Sequence, residues 1–148
     1  MKLLSHRRAL ILNGLWIAIG LAGCKDGPSV EFANVQGIVQ VNGKPQRGAM
    51  VQFSPDREKG NGVPAFANGT SDDQGKYTLK YGYQGKVGDG APVGWHRVSV
   101  IDTTVGVTPQ GQTPKPSAIP MEYGTPATTP LLVEVKAGDN NIDLNVKK

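Results

Sequence analysis

Chemistry-bearing side chains are scarce in this sequence. Its 148 residues include one cysteine, Cys24, and two histidines, His6 and His96. A zinc site draws its ligands from cysteine, histidine and carboxylates, and Ser-His or Cys-His catalysis needs a histidine beside its nucleophile. With His96 the one histidine beyond residue 24, neither has material to work with. We therefore expect no metal centre, no cofactor and no catalytic residue. Acidic residues are missing from the first 25 positions, where Lys2, Arg7 and Arg8 precede or open an apolar stretch over residues 9–22 that only Asn13 and glycines interrupt. This stretch, about 14 residues long, falls short of the roughly 20 that a helix needs to cross a bilayer, so it reads as an export signal. Removing the leader changes the charge. The chain has 16 Lys and Arg against 12 Asp and Glu, a net charge of +4; without the leader's three cations, 13 face 12 and the net charge is +1. Binding to phosphate backbones grows with the number of phosphates neutralised, so no nucleic-acid partner is expected.

Leu21-Ala22-Gly23-Cys24 closes the leader, and it resembles the lipobox of bacterial lipoproteins. The resemblance implies cleavage after Gly23, with Leu21, Ala22 and Gly23 read by the signal peptidase, and a diacylglyceryl group on the Cys24 thiol. Two or three acyl chains anchor a protein where one is marginal, because each buried CH₂ contributes about 0.8 kcal/mol. A thioether also accounts for a lone cysteine in an exported chain, where a free thiol would be a liability. In the enterobacterial sorting rule an aspartate directly after the cysteine retains a lipoprotein in the inner membrane. Lys25 stands there instead, so the resemblance implies the outer membrane over the inner one, with the protein in the cell envelope outside the cytoplasm.

The chain divides on this reading into a signal peptide (residues 1–23), a lipidated tether (24–34) carrying Gly27-Pro28, and one domain (35–148). The domain pattern is β throughout. Val35, Val39 and Val41 alternate with Gln36, Gln40 and Asn42, as a strand with one buried face requires. Ala49, Val51 and Phe53 repeat the alternation, as do Tyr77, Leu79 and Tyr81, then Val98 and Val100, then Leu131, Val133 and Val135, then Ile142, Leu144 and Val146. A weaker extended stretch covers residues 65–71. Turn signals stand between these runs at Asn42-Gly43, Asp72-Asp73-Gln74-Gly75 and Ala137-Gly138-Asp139-Asn140-Asn141. The last of these predicts a terminal hairpin between residues 131–136 and 142–146. With 20 glycines and 11 prolines punctuating the chain, no capped helix is expected beyond the leader. The fold class is all-β: a single antiparallel β-sandwich of about seven strands. Three long connections are expected at residues 54–69, 82–94 and 103–118, the last proline-rich and solvated.

Several motifs add a family likeness. Gly37-Ile-Val-Gln-Val-Asn-Gly-Lys-Pro-Gln-Arg-Gly-Ala-Met-Val-Gln-Phe53, Gly69-Thr-Ser-Asp-Asp-Gln-Gly-Lys-Tyr-Thr-Leu79 and Pro92-Val-Gly-Trp-His-Arg-Val-Ser-Val100 look like the carboxypeptidase regulatory-like (transthyretin-like) β-sandwich domain. The likeness spans roughly residues 35–102. With the lipobox, Ile119-Pro-Met-Glu-Tyr123 and the Val133–Asn140 ending, the whole chain resembles the small lipoproteins of planctomycete genomes. These motifs imply architecture rather than chemistry. Transthyretin-like hydrolases need several histidines and a particular C-terminal tetrapeptide, and this chain has neither.

Three features remain as candidate chemistry. His96 reads as a strand residue at the sandwich edge rather than a catalyst. Asp72-Asp73-x-Gly75 carries oxygen ligands of the kind calcium prefers, but its spacing is ordinary turn chemistry and not an EF-hand. Tyr81 and Tyr83, two apart in a strand, together with Trp95, form a possible ligand-binding set, a platform on which a sugar ring stacks. The competing reading makes Tyr81 core and Trp95 a plug at the sandwich end. The expectation is a non-enzymatic, lipid-anchored envelope protein whose sandwich is a structural or protein-interaction module, with an envelope protein or polysaccharide as partner. The alternative is a carbohydrate-binding module on the cell surface.

Overall fold

The computed structural model describes residues 29–106, 111–113 and 115–148; Leu21, Ala22, Gly23 and Cys24 lie outside the described residues. Two six-stranded sheets form a β-sandwich. The first contains β1 (Phe32–Val41), β2 (Lys44–Pro45), β5 (Lys76–Thr78), β8 (Ala91–Pro92), β11 (Asp139–Asn141) and β12 (Leu144–Val146). The second contains β3 (Ala49–Pro55), β4 (Phe66–Thr70), β6 (Lys80–Tyr83), β7 (Lys86–Asp89), β9 (Gly94–Asp102) and β10 (Leu132–Val135), in the antiparallel order β10-β9-β3-β4-β6-β7. Two short 3-10 turns, Arg57–Lys59 and Met121–Gly124, are the helical elements among the described residues. The all-β sandwich expected from alternation is the architecture observed.

The alternating residues meet between the sheets. Val35, Val39 and Val41 of β1 are buried against Ala49, Val51 and Phe53 of β3 and Val98 and Val100 of β9, while Tyr77, Leu79, Val135, Leu144 and Val146 complete one cluster. Period-two patterning forces this outcome, since a slip of one residue would turn each valine outward. Ile119 and Tyr123 join the core from the connection before β10, although they sit outside any alternating run.

Three expectations are corrected. The terminal hairpin does not form: β10 pairs antiparallel with β9, whereas β11 and β12 cross to the other sheet and pair parallel with β1. The five residues 137–141 therefore carry a crossover, and Asn140 holds it with bonds from its amide to the carbonyls of Lys136, Gly138 and Asn34. The strand that opens the domain starts before residue 35. β1 opens at Phe32, and Ala33 is buried where it pairs with Ala91, so the fold takes up residues assigned to the linker. The connection over residues 82–94 is no loop either, because β6 and β7 form a hairpin whose turn, Gln84 (φ 48°) and Gly85 (φ 75°), has the left-handed backbone that two-residue hairpins favour.

β1 is the axis of the first sheet. Val35 and Val39 hydrogen-bond toward Leu79, Gly75 and Gln46 on one side, and Gln36 and Asn42 toward Ile142 and Val146 on the other. Between β11 and β12 the ladder breaks, and the Asp143 carboxylate accepts the Ile38 N–H at 2.9 Å in its place. At this break Tyr77 crosses Gly37, its partner in register, and its hydroxyl donates to the Ile142 carbonyl at 2.6 Å. A Cβ at position 37 would fall on that same carbonyl. Burial, and secondarily the Asp143 carboxylate, push the Tyr77 phenol far above its ordinary pKa, so it remains a donor. Tyr77→Phe is expected to cost about 1–2 kcal/mol by leaving the part-buried Ile142 carbonyl without its partner. Gly37→Ala is expected to cost more, on the order of 3 kcal/mol, because backbone must move. Urea unfolding of both variants checks the order; wild-type stability in Gly37→Ala would refute the tight crossing.

Candidate functional site

The strand ends of both sheets that lie nearest Ser29 enclose an open groove of about 920 Å³, lined by Phe32, Val63, Pro64, Tyr81, Tyr83 and Val93. Tyr81 and Tyr83 project from the same side of β6, and both are half-buried. Tyr81 is held from two sides: Phe32 stacks on it with centroids 3.7 Å apart and planes 14° apart, and Gly88, opposite in register, lies against its ring and hydroxyl. Tyr83 meets Phe32 in a tilted contact at 5.9 Å, and its hydroxyl accepts from Gln84 Nε2 at 3.1 Å. Of the expected aromatic set, the groove unites Tyr81 and Tyr83, and Tyr83 presents the freer ring.

Trp95 is not with them. His96 points inward against Phe53, so alternation along β9 places Trp95 on the outer face of the second sheet. There the Lys59 ammonium sits 5.2 Å from the centre of its ring, a cation–π contact. The three-residue platform expected from sequence is therefore divided by the sheet itself.

Around Trp95 the connection from β3 to β4 is built rather than loose. Asp56 is buried and caps the first 3-10 turn, its Oδ1 accepting the N–H groups of Glu58 and Lys59. Its Oδ2 faces Arg97 Nε at 3.1 Å, an ion pair without hydrogen-bond alignment, and Arg97 Nη2 donates to Glu58 at 3.0 Å. Asn61, also buried, donates to the Trp95 carbonyl at 3.0 Å and packs over Gly94, whose φ of 123° is open to glycine. Sequence reasoning passed over Asp56, Asn61 and Phe32. Asp-x-x-x-x-Asn in a loop resembles any turn, and Phe32 is out of phase with the valines of β1.

The remaining candidates take structural parts. Asp72 Oδ1 accepts the N–H groups of Gln74 and Lys76 at 2.8 and 2.9 Å, while Asp73 pairs with Arg47 at 2.8 Å, so both aspartates serve the turn. Among the described residues no cluster of three or more His, Cys, Asp or Glu is placed to hold a metal ion, and no helix is long and apolar enough to cross a membrane. His96 is wholly buried, where the edge position expected from sequence would leave it partly exposed. Its Nδ1 lies 2.9 Å from the Gly94 carbonyl. A carbonyl only accepts, so Nδ1 carries the proton and Nε2 is a bare acceptor, buried with no partner.

No known family model, curated protein or solved structure matches this chain.

Burial lowers the His96 pKa below its ordinary value, against the opposing pull of the Gly94 carbonyl. The unfolded chain then binds a proton that the folded chain refuses. This contribution to stability is full above the unfolded pKa of about 6.5 and is lost as pH falls below it. Asp102 behaves separately. Burial raises its carboxyl, but hydrogen bonds from Thr104 and Ala118 with Lys115 nearby outweigh this and leave it lowered, so its contribution goes only in the carboxylate range. Midpoint denaturant concentrations measured from pH 8 to 5 are expected to fall for the wild type and to stay flat for His96→Gln. Parallel slopes would show that His96 is not the source.

Proposed function

We propose that the chain is an exported, lipid-anchored cell-envelope protein whose sandwich is a non-enzymatic module for structure or protein interaction. The observation that carries this reading is Leu21-Ala22-Gly23-Cys24 at the end of a basic and then apolar leader. The geometry is compatible with it in two ways. β1 starts at Phe32, eight residues beyond Cys24, so a folded strand follows the proposed anchor closely. Polar side chains beside the groove hold the fold: Asp56 its cap and Arg97, Asn61 the Trp95 carbonyl, and His96 the Gly94 carbonyl. The partner is an envelope protein or polymer, and the outer membrane is favoured over the inner by Lys25. The sandwich is proposed to be of the carboxypeptidase regulatory-like type, on the strength of the motifs between Gly37 and Val100.

A second reading, carbohydrate binding, is favoured by the groove beside Tyr83, and it now rests on Tyr83 and Tyr81 without Trp95.

Labelling cells with an alkyne-bearing palmitate analogue is expected to mark the wild-type protein and to leave Cys24→Ser unmarked and released from the membrane fraction. Equal labelling of the two would remove the anchor. For the partner, cross-linking in intact cells is expected to return the same envelope component from independent preparations. Binding on a glycan array that Tyr83→Ala abolishes would transfer the conclusion to the second reading.

A further inference from the structure

The sandwich has two unlike poles. At one, Ser29 enters beside the groove, next to the starts of β1 and β9 and the turn between β6 and β7. At the other lie the Asn42-Gly43 turn and Lys148, whose N–H donates to Asn42 at 3.1 Å. The first pole exposes apolar groups on the outer face of its sheet. Phe66 and Val87 stand on either side of Gly82 in register and are 54% and 87% exposed. Gly82 lacks a side chain, so no polar group interrupts the pair. Tyr83 lies half-buried on the opposite face, and Lys86 is exposed at the hairpin turn.

The anchor limits where this pole can be. Five Cα–Cα steps separate Cys24 from Ser29, and five steps reach at most about 18 Å, fully extended. β9, nine residues, gives the sandwich a length of roughly 30 Å along its strands. A tether shorter than the body cannot hold it upright with the far pole on the membrane, and it keeps Ser29 and the near pole close to the surface.

We propose, resting on the anchor reading, that the β6–β7 pole docks on the lipid surface, with Phe66 and Val87 dipping among the headgroups and Lys86 toward lipid phosphates. Two apolar side chains and an aromatic phenol beside a lysine suit an interface that is apolar below and wet above. The groove beside Tyr83 then opens at the membrane, and its occupant reaches it along that surface.

The test uses the full acylated protein on vesicles of phosphatidylethanolamine and phosphatidylglycerol. Acylation leaves Cys24 without a thiol, so Val87→Cys and, at the far pole, Lys44→Cys each provide one labelling position for an environment-sensitive fluorophore. With spin-labelled lipid present, most fluorescence at position 87 is expected to be lost and that at position 44 retained. A protein that floats with the vesicles but shows no quenching at position 87, or equal quenching at both, overturns the docking and leaves the anchor standing. Protection at position 87 that depends on protein concentration and not on lipid assigns the surface to a second copy and also overturns it. Failure to float removes the anchor reading and the docking with it.

Discussion

The close passage at Gly37 is the constraint on which the first sheet depends. β1 is bonded along both sides, and the strand that completes it arrives from the end of the chain in the parallel sense. Parallel ladders bond slightly less well per residue, and this one is interrupted at Ile142 and Asp143. The gap is closed by side chains: Tyr77 reaches across the one position without a Cβ to bond the Ile142 carbonyl, and Asp143 accepts the Ile38 N–H. Tyr77 also faces Phe53 at 6.5 Å, so the residue that closes the first sheet touches the core of the second.

The groove end has a comparable centre in Asp56. Its backbone N–H donates to the Trp95 carbonyl, its Oδ1 caps a turn and its Oδ2 pairs with Arg97. A buried carboxylate of this kind contributes little by Coulomb attraction alone, since desolvation offsets most of it. Its effect is to define a single path for the β3–β4 connection. That path determines where Val63 and Pro64 stand as one wall of the groove. The neighbouring Ser54 hydroxyl is buried without a partner, a cost which nothing nearby explains.

The sandwich was legible in the sequence because alternation acts locally: each of Val35, Val51, Phe53, Val98 and Val135 declares its face through its immediate neighbours. Pairing is not local, and this is where reading failed. Residues 131–136 and 142–146 look like a hairpin since a turn separates them, yet the parity of a strand says nothing about which sheet it joins. The candidate aromatics failed for a related reason. Tyr81 reads as a strand residue and Trp95 as part of a nearby connection, and only the register of β9, with His96 inward, shows that Trp95 is in a strand and on the opposite face. Ile119 and Tyr123 carried no periodic signal because they reach the core from a connection, where burial follows from the path of the chain.

The parallel partnership of β1 with β12 has a kinetic side. Asn34 and Asp139 are hydrogen-bonded across 105 positions, and the final bonds to β1 come from residues 144–146. Contacts so distant along the chain require loop closure before they contribute, so proteins rich in them fold slowly. Here β1 waits for β12, the last of the described strands. A chain arranged in this way stays open, with its axis strand unpaired on one side, until β11 and β12 are free to fold.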